Sequence, residues 1–313
     1  MPSASGPSPT PRAHTRDTCP HGTWEVVRAL PHPGLRPGVL GYRGYRMDLG
    51  HPRRRLELPD GCVSLVLNLA GPVWVTLGTC DTATPRPYAT LVSGLQTRPT
   101  FGEHTGRVEG VEVLLAPWAA FGILDHPMCD LADRMADPGA FLGRRIDLLA
   151  EALYETAGWP ARFALLDAGL RTWTGHARVG AAPPLRHAWD ALVRRDGGLS
   201  VGELVSHSGR GTRRLEYLFK EQIGLPPKTT ARVLRFRHAL RLVARGDRPL
   251  ADVAVTCGFS DQAHMNREFK AMSGRSPRRF RTERDAALPG PVGVDRVTGQ
   301  VTSVVLPDRV SRS

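Results

Sequence analysis

A 50-residue echo constrains this chain more than any other feature. Phe219, Gly224 and Pro227 recur as Phe269, Gly274 and Pro277. Each copy is preceded by a short apolar helix pattern, a turn and a polar, basic helix pattern. In the second copy the turn is Cys257-Gly258-Phe259, followed by Ser260-Asp261-Gln262-Ala263-His264-Met265-Asn266-Arg267-Glu268-Phe269-Lys270. Asp261 is the expected N-cap, because its carboxylate accepts the amide N–H groups that a first helical turn leaves orphaned. In the first copy, Ser200-Val201-Gly202-Glu203 reads as a reciprocal capping box. The helix it starts ends near Ser208-Gly209, a tight turn passes through Arg210, and a second helix runs to about Ile223. Gly224 then stands at C′, where a positive φ carries no steric cost only for glycine.

Between the copies, Pro226-Pro227 opens and Gly246 closes a stretch of about 18 residues that reads as one amphipathic helix. Val233, Phe236, Leu240 and Val243 form its apolar stripe, and Arg232, Arg235, Arg237 and Arg241 populate the rest. Such a helix spans roughly 27 Å at about 1.5 Å per residue. With the width of the flanking units added, it spaces two protruding helices for major-groove faces that lie about 34 Å apart.

Charge follows the same division. The chain of 313 residues has a net charge of +12. Leu185–Arg284 holds 21 Lys+Arg against 10 Asp+Glu, or +11, leaving about +1 for everything else. A chain that segregates charge in this way has one half built for a polyanion. Paired helix-turn-helix units at fixed spacing identify double-stranded DNA as that partner. Five widely spaced cysteines without a CxxC pair argue against a disulfide framework or zinc site and fit a reducing cytoplasm. No apolar run is long enough for a membrane span, and no metal or cofactor is expected.

The first half is β-rich. Leu58-Pro59-Asp60-Gly61 signals a turn, residues 62–69 a strand, Ala70-Gly71-Pro72 another turn and residues 73–77 a second strand. These two strands are expected to form a hairpin. Residues 88–92 and 108–115 add strands, suggesting a small barrel or sandwich. From about 138 the pattern becomes helical, with helices expected over 141–157 and 161–173. The expected organisation is a disordered leader (1–22), a first domain (23–175), a linker (176–184), a basic helical domain (185–284) and a disordered tail (285–313). The fold class is α+β: a β-rich first domain, then an all-α domain of two helix-turn-helix units on a long helix.

Residues 185–283 resemble the DNA-binding domain of the AraC/XylS family of bacterial transcription regulators. The carrying strings are Gly258-Phe259-Ser260-Asp261-Gln262, then Phe269-Lys270, then Gly274-Arg275-Ser276-Pro277-Arg278-Arg279-Phe280-Arg281. Leu204, Gly209, Leu215, Phe219, Gly224, Pro227, Arg235, Ala239, Leu242, Val253 and Ala254 support them. Gly211 departs from the pattern, standing where the family usually has a capping Ser. Counting helix faces from each N-cap gives base-reading faces of Thr212, Arg213, Glu216 and Tyr217 in the first unit and of Gln262, Ala263, Asn266 and Arg267 in the second, with His264 alongside. The resemblance implies Arg213, Glu216 and Tyr217, then Gln262, Ala263, His264 and Arg267, so the two arguments mostly agree. Arginine forks to guanine, glutamine to adenine, and glutamate accepts from cytosine N4. Arg214, Lys220, Arg237, Lys270, Arg279 and Arg281 suit phosphates. Each exposed arginine also fits a merely solvated face, and His264 also fits a packing role.

The first half is similar to the cupin-like sensing regions of such regulators, in an actinobacterial-type group. Its marks are Pro59-Asp60-Gly61, Ser93-Gly94-Leu95-Gln96-Thr97-Arg98 and Leu114-Leu115-Ala116-Pro117-Trp118. A small-molecule effector, a homodimer and contact with RNA polymerase are implied, with His51, Arg98 and His104 as candidate effector contacts. Two further classes remain: a nonspecific DNA-compacting protein, and an alkyl-transfer repair protein similar to Ada. The latter needs a reactive cysteine in a Pro-Cys-His-Arg-like setting and a zinc cluster. Cys62 and Cys129 have neither.

Overall fold

The computed structural model describes residues 11–19, 22–78, 84–175, 181–286 and 302–306. The first half is a two-sheet β structure. Its strands begin with β1 (Pro11–Cys19), β2 (Gly22–Ala29), β3 (Val39–Asp48), β4 (Arg53–Glu57), β5 (Val63–Ala70) and β6 (Val73–Leu77). They continue with β7 (Arg86–Tyr88), β8 (Thr90–Ser93), β9 (Thr100–His104), β10 (Arg107–Leu115) and the short β11 (Met135–Ala136). A last strand, β12 (Ser303–Leu306), comes from the far end of the chain. The larger sheet runs β1-β2-β3-β10-β5-β8-β11 and the smaller β12-β4-β9-β6-β7, with antiparallel pairing between neighbours.

The expected hairpin of residues 62–69 and 73–77 does not form. β5 pairs with β10 and β8 in the larger sheet, whereas β6 pairs with β7 and β9 in the smaller. Ala70-Gly71-Pro72 instead carries the chain from one sheet to the other. β5 is a central strand, buried on both faces. Val63, Leu65 and Leu67 enter the helix-covered core, while Ser64 and Val66 line the space between the sheets. Both edges of β5 are taken, by β10 and β8, which leaves none for β6.

Both termini depart from the expected disorder. Pro11–Cys19 pairs along β2 and covers its outer edge. Ser303–Leu306 pairs with β4. The rest of the leader and tail, and linker residues 176–180, lie outside the described residues.

Four helices cover the larger sheet: α1 (Pro117–Leu124), α2 (Gly139–Leu142), α3 (Arg144–Glu155) and α4 (Trp159–Gly175). The single helix expected over 141–157 is broken at Gly143, whose φ of 54° cannot continue a right-handed helix. Leu65, Leu67, Val111 and Val113 pack against Leu149, Leu153, Phe163, Leu166 and Leu170. Gly44 allows the closest approach, since a Cβ there would sit 2.3 Å from the Trp159 ring. Asp167 ties the layers, accepting from the Tyr42 hydroxyl at 2.7 Å and the His32 amide at 2.8 Å.

The described residues of the second half before β12 form helices: α5 (Pro183–Arg194), α6 (Val201–Ser208), α7 (Thr212–Gln222), α8 (Pro227–Arg245), α9 (Leu250–Thr256), α10 (Gln262–Ser273) and α11 (Pro277–Ala286). α8 is unbroken over 19 residues, and its stripe of Val233, Phe236, Leu240 and Val243 is buried. Phe269 of α10 sits edge-on between Phe236 and Phe280, with ring centroids 5.2 and 5.5 Å away. The core does not stop at the helices: Leu56, Leu58 and Phe101 of the smaller sheet belong to the same apolar cluster.

Candidate nucleic-acid interface and inter-sheet cavity

Each helix-turn-helix unit is built as its sequence dictates. In the first, the Ser200 hydroxyl accepts from the Glu203 amide at 3.2 Å, and Glu203 accepts from the Ser200 amide at 2.8 Å. The Ser200 hydroxyl also donates to the Glu203 carboxylate at 2.7 Å, and that bond, then the one from the Ser200 amide, holds the Glu203 carboxyl below the usual range. α6 ends at Gly209 (φ 61°), and α7 starts from Gly211, which has no side chain to cap it. Leu215, Leu218 and Phe219 are buried beneath α7. Thr212, Arg213, Arg214, Glu216, Tyr217 and Lys220 are exposed. Arg214 lies over the Tyr217 ring at 5.0 Å, and the Tyr217 hydroxyl donates to Glu221 at 2.9 Å, which raises its pKa. Two of these side chains are therefore already ordered at the surface.

In the second unit, Asp261 caps α10 by accepting from the His264 amide at 2.6 Å, and that bond lowers its pKa. Ala263, Arg267 and Lys270 are exposed, and Gln262 is half-buried. His264 is held against the turn: its Nδ1 lies 3.1 Å from the Ser260 hydroxyl, and its ring meets Phe259 edge-on at 5.4 Å. Asn266 is half-buried, with Oδ1 enclosed and unpartnered, so that acceptor does not face outward. Glu268, absent from the sequence-derived set, accepts a two-pronged bond from Arg232 at 2.7 and 3.0 Å. This fork fixes α10 to α8. Asp196 does the same at the other end of the connector, binding Arg241 at 2.9 Å.

One phosphate candidate is overturned. Arg237 is 8% exposed and its Nη1 donates to the Asp60 carbonyl at 3.4 Å, across the boundary between the two halves. It faces the first domain because that side of α8 is docked on the turn between β4 and β5, where Gly61 meets Leu234. Arg279 and Arg281 are exposed, with Arg279 bonded to Glu283 at 2.6 Å.

Between the two sheets lies a cavity of about 140 Å³. Arg43 pairs with Glu112 at 3.2 Å, and Arg55 with Glu57 at 3.2 Å. Met47, Val66, Val73, Val75, Leu91 and Val108 supply apolar wall. Arg43 is 6% exposed and its Nε has no hydrogen-bond partner, a costly state for a buried donor. His104 lines the cavity, with Nδ1 accepting from the Gly106 amide at 3.1 Å. Burial, then the Arg55 charge, pushes its pKa down to about 4, so it is neutral near pH 7. His51 and Arg98 are not in the wall. His51 bonds the Leu49 carbonyl at 2.7 Å, and Arg98 is exposed. Both follow strand ends, where side chains serve turns rather than the interior. Sequence reasoning missed Arg43, Arg55, Glu57 and Glu112. Their signal was a charge at an inward position of an otherwise apolar alternation, as in Val111-Glu112-Val113. Asp60 serves the turn as expected, accepting from the Cys62 amide at 3.0 Å.

Among the described residues no helix is long and apolar enough to cross a membrane, and no group of His, Cys, Asp and Glu is placed to hold a metal ion.

A helix-turn-helix domain model matches residues 204–283, and a domain of unknown function (DUF6597) matches residues 27–137. The chain is 35% identical over 82 residues to the probable transcriptional regulator LumQ of Photobacterium leiognathi, covering 26% of this chain and 33% of that protein. It is 33% identical over 86 residues to the transcriptional activator RhaS of Klebsiella pneumoniae, covering 28% and 31%. The chain thus spans about a third of the length of these relatives. Both are named as transcription regulators and neither as an enzyme. A solved regulator with an AraC-type DNA-binding domain, from Chromobacterium violaceum, is 28% identical over 34% of this chain and 96% of that one, at a TM-score of 0.32. Over about a quarter of its length, then, this chain is similar to the helix-turn-helix regions of transcription regulators.

Proposed function

We propose that the protein is a sequence-specific transcription regulator that sets α7 and α10 into successive major grooves. One observation carries the reading: two helices with exposed polar residues at their N-terminal turns flank an unbroken 19-residue connector, and ion pairs fix that connector to its neighbours. The connector spans about 28 Å. Arg213 and Arg267 are the primary guanine readers. Gln262, Glu216, Thr212, Tyr217, Ala263 and His264 complete the reading faces, with Asn266 contributing through its amide nitrogen. Arg214, Lys220, Lys270, Arg279 and Arg281 hold phosphates, which position without specifying.

The first half is the sensing domain, and its inter-sheet cavity is the effector site. The mixed lining suits a compact ligand with both donor and acceptor groups. Homodimer contacts and contact with RNA polymerase belong to the same reading, as does a cytoplasmic, nucleoid-associated location. The test is selection of bound genomic fragments, followed by footprinting of the enriched sequence. Protection over two successive major-groove turns on one face supports the reading. Protection of a single groove segment contradicts it.

A further inference from the structure

The carboxyl-terminal strand has no part in the proposed reading of DNA, yet it is among the most deeply buried segments of the protein. Thr302, Ser303 and Val304 are 0%, 1% and 1% exposed. Its backbone pairs antiparallel with β4, Ser303 opposite Glu57 through Leu306 opposite Arg54, and the Leu58 amide donates to the Thr302 carbonyl at 2.9 Å. On its other side, Arg284 of α11 donates to the Ser303 carbonyl at 3.1 Å. Val304 and Leu306 enter the apolar cluster that joins Leu56 and Phe101 to the helices of the second half. This short strand therefore touches both domains at once.

We propose that the β4 edge is a strand-addition site whose occupant is the chain's own segment 302–306, which latches the DNA-reading domain onto the sensing barrel. A sheet edge offers a row of amide and carbonyl groups that an extended segment can pair. Register gives this one its specificity. Val304 and Leu306 share the outer face with Leu56, toward the helices. Ser303 shares the inner face with Glu57, and its hydroxyl accepts from Arg55. Arg55 also lines the inter-sheet cavity. An occupant that draws Arg55 toward it loosens Ser303, so cavity and latch are coupled through one guanidinium. That coupling rests on the sensing role proposed for the cavity. The latch itself does not, and the experiment reads the latch alone.

The experiment is hydrogen exchange on the intact chain, paired with a chain lacking residues 302–313. In the intact chain the Leu58 amide exchanges at least 100-fold more slowly than in an unstructured peptide, at every protein concentration. In the shortened chain that protection falls by 10-fold or more and the radius of gyration rises. A synthetic peptide of residues 300–308 then binds the shortened chain and not the intact one, and the same peptide with Val304→Pro binds neither. An unprotected Leu58 amide in the intact chain overturns the proposal, whether or not the shortened chain folds. So does protection that grows with concentration, which assigns the strand to a second copy. Unchanged protection in the shortened chain overturns it as well.

Discussion

The two halves of this protein carry charge in opposite places. The second half spreads arginine and lysine over helix faces, where Arg213, Arg214, Lys220, Arg267 and Lys270 stand in solvent. The first half takes Arg43, Arg55 and Glu112 into its interior. Surface cations are cheap to keep and attract a long polyanion through summed fields. Buried charges are costly unless paired, and their retention around a cavity is what supports the small ligand proposed for it. The same residue type thus serves two proposed kinds of partner, and burial distinguishes them.

The largest effect expected to break this comparison lies in the core of the reading half. Phe269→Ala removes the ring between Phe236 and Phe280 and should destabilise that half by about 3–5 kcal/mol. Chemical denaturation should show it unfolding ahead of the barrel. A single transition that moves both halves equally would mean the shared apolar cluster makes them one cooperative unit.

Acid should act on the other half. His104 has its pKa lowered from 6.5 to about 4 by burial and Arg55. The unfolded chain therefore takes up a proton that the folded chain refuses as pH falls through that window. The stability contributed by the neutral ring is present above pH 6.5 and lost as pH approaches 4, by about 3 kcal/mol. His104→Gln should flatten the dependence of unfolding free energy on pH between those values.

The two classes of surface cation should separate cleanly in DNA titrations. Arg267→Ala should lose about 1–3 kcal/mol of discrimination at one base position. Arg279→Ala should weaken all sequences alike and reduce the salt slope by about 1. Equal behaviour of the two variants would erase the distinction between reading and holding. The smallest effect belongs to Gly211→Ser, which supplies the missing cap of α7 and should stabilise the reading half by a few tenths of a kcal/mol, measurable as a shift in its denaturation midpoint.

Legibility in the sequence follows the range of the interaction. Caps and turns are local, so Ser200, Glu203, Asp261, Gly224 and Gly246 announced their helix ends, and α8 emerged whole. Pairing between strands is not local. Residues 62–77 contain a strand, a Gly-Pro turn and a strand, which is also what a hairpin contains, and only the pairing of β10 and β8 on the two edges of β5 leaves β6 to the other sheet. The fate of Arg237 was unreadable for a related reason. On α8 it sits among arginines of equal exposure in an isolated helix, and the first domain is what covers it. The tail was opaque because Thr302–Leu306 is too short to signal a strand without β4 beside it.

The central claim is that two helices held on one rigid connector read one DNA sequence. Its most direct test is the affinity of the full chain for its genomically enriched sequence against a scrambled version at physiological salt. The account predicts a preference of about 1,000-fold or more, reduced by Arg213→Ala and by Arg267→Ala at different base positions. Equal affinity for the two DNAs would contradict it.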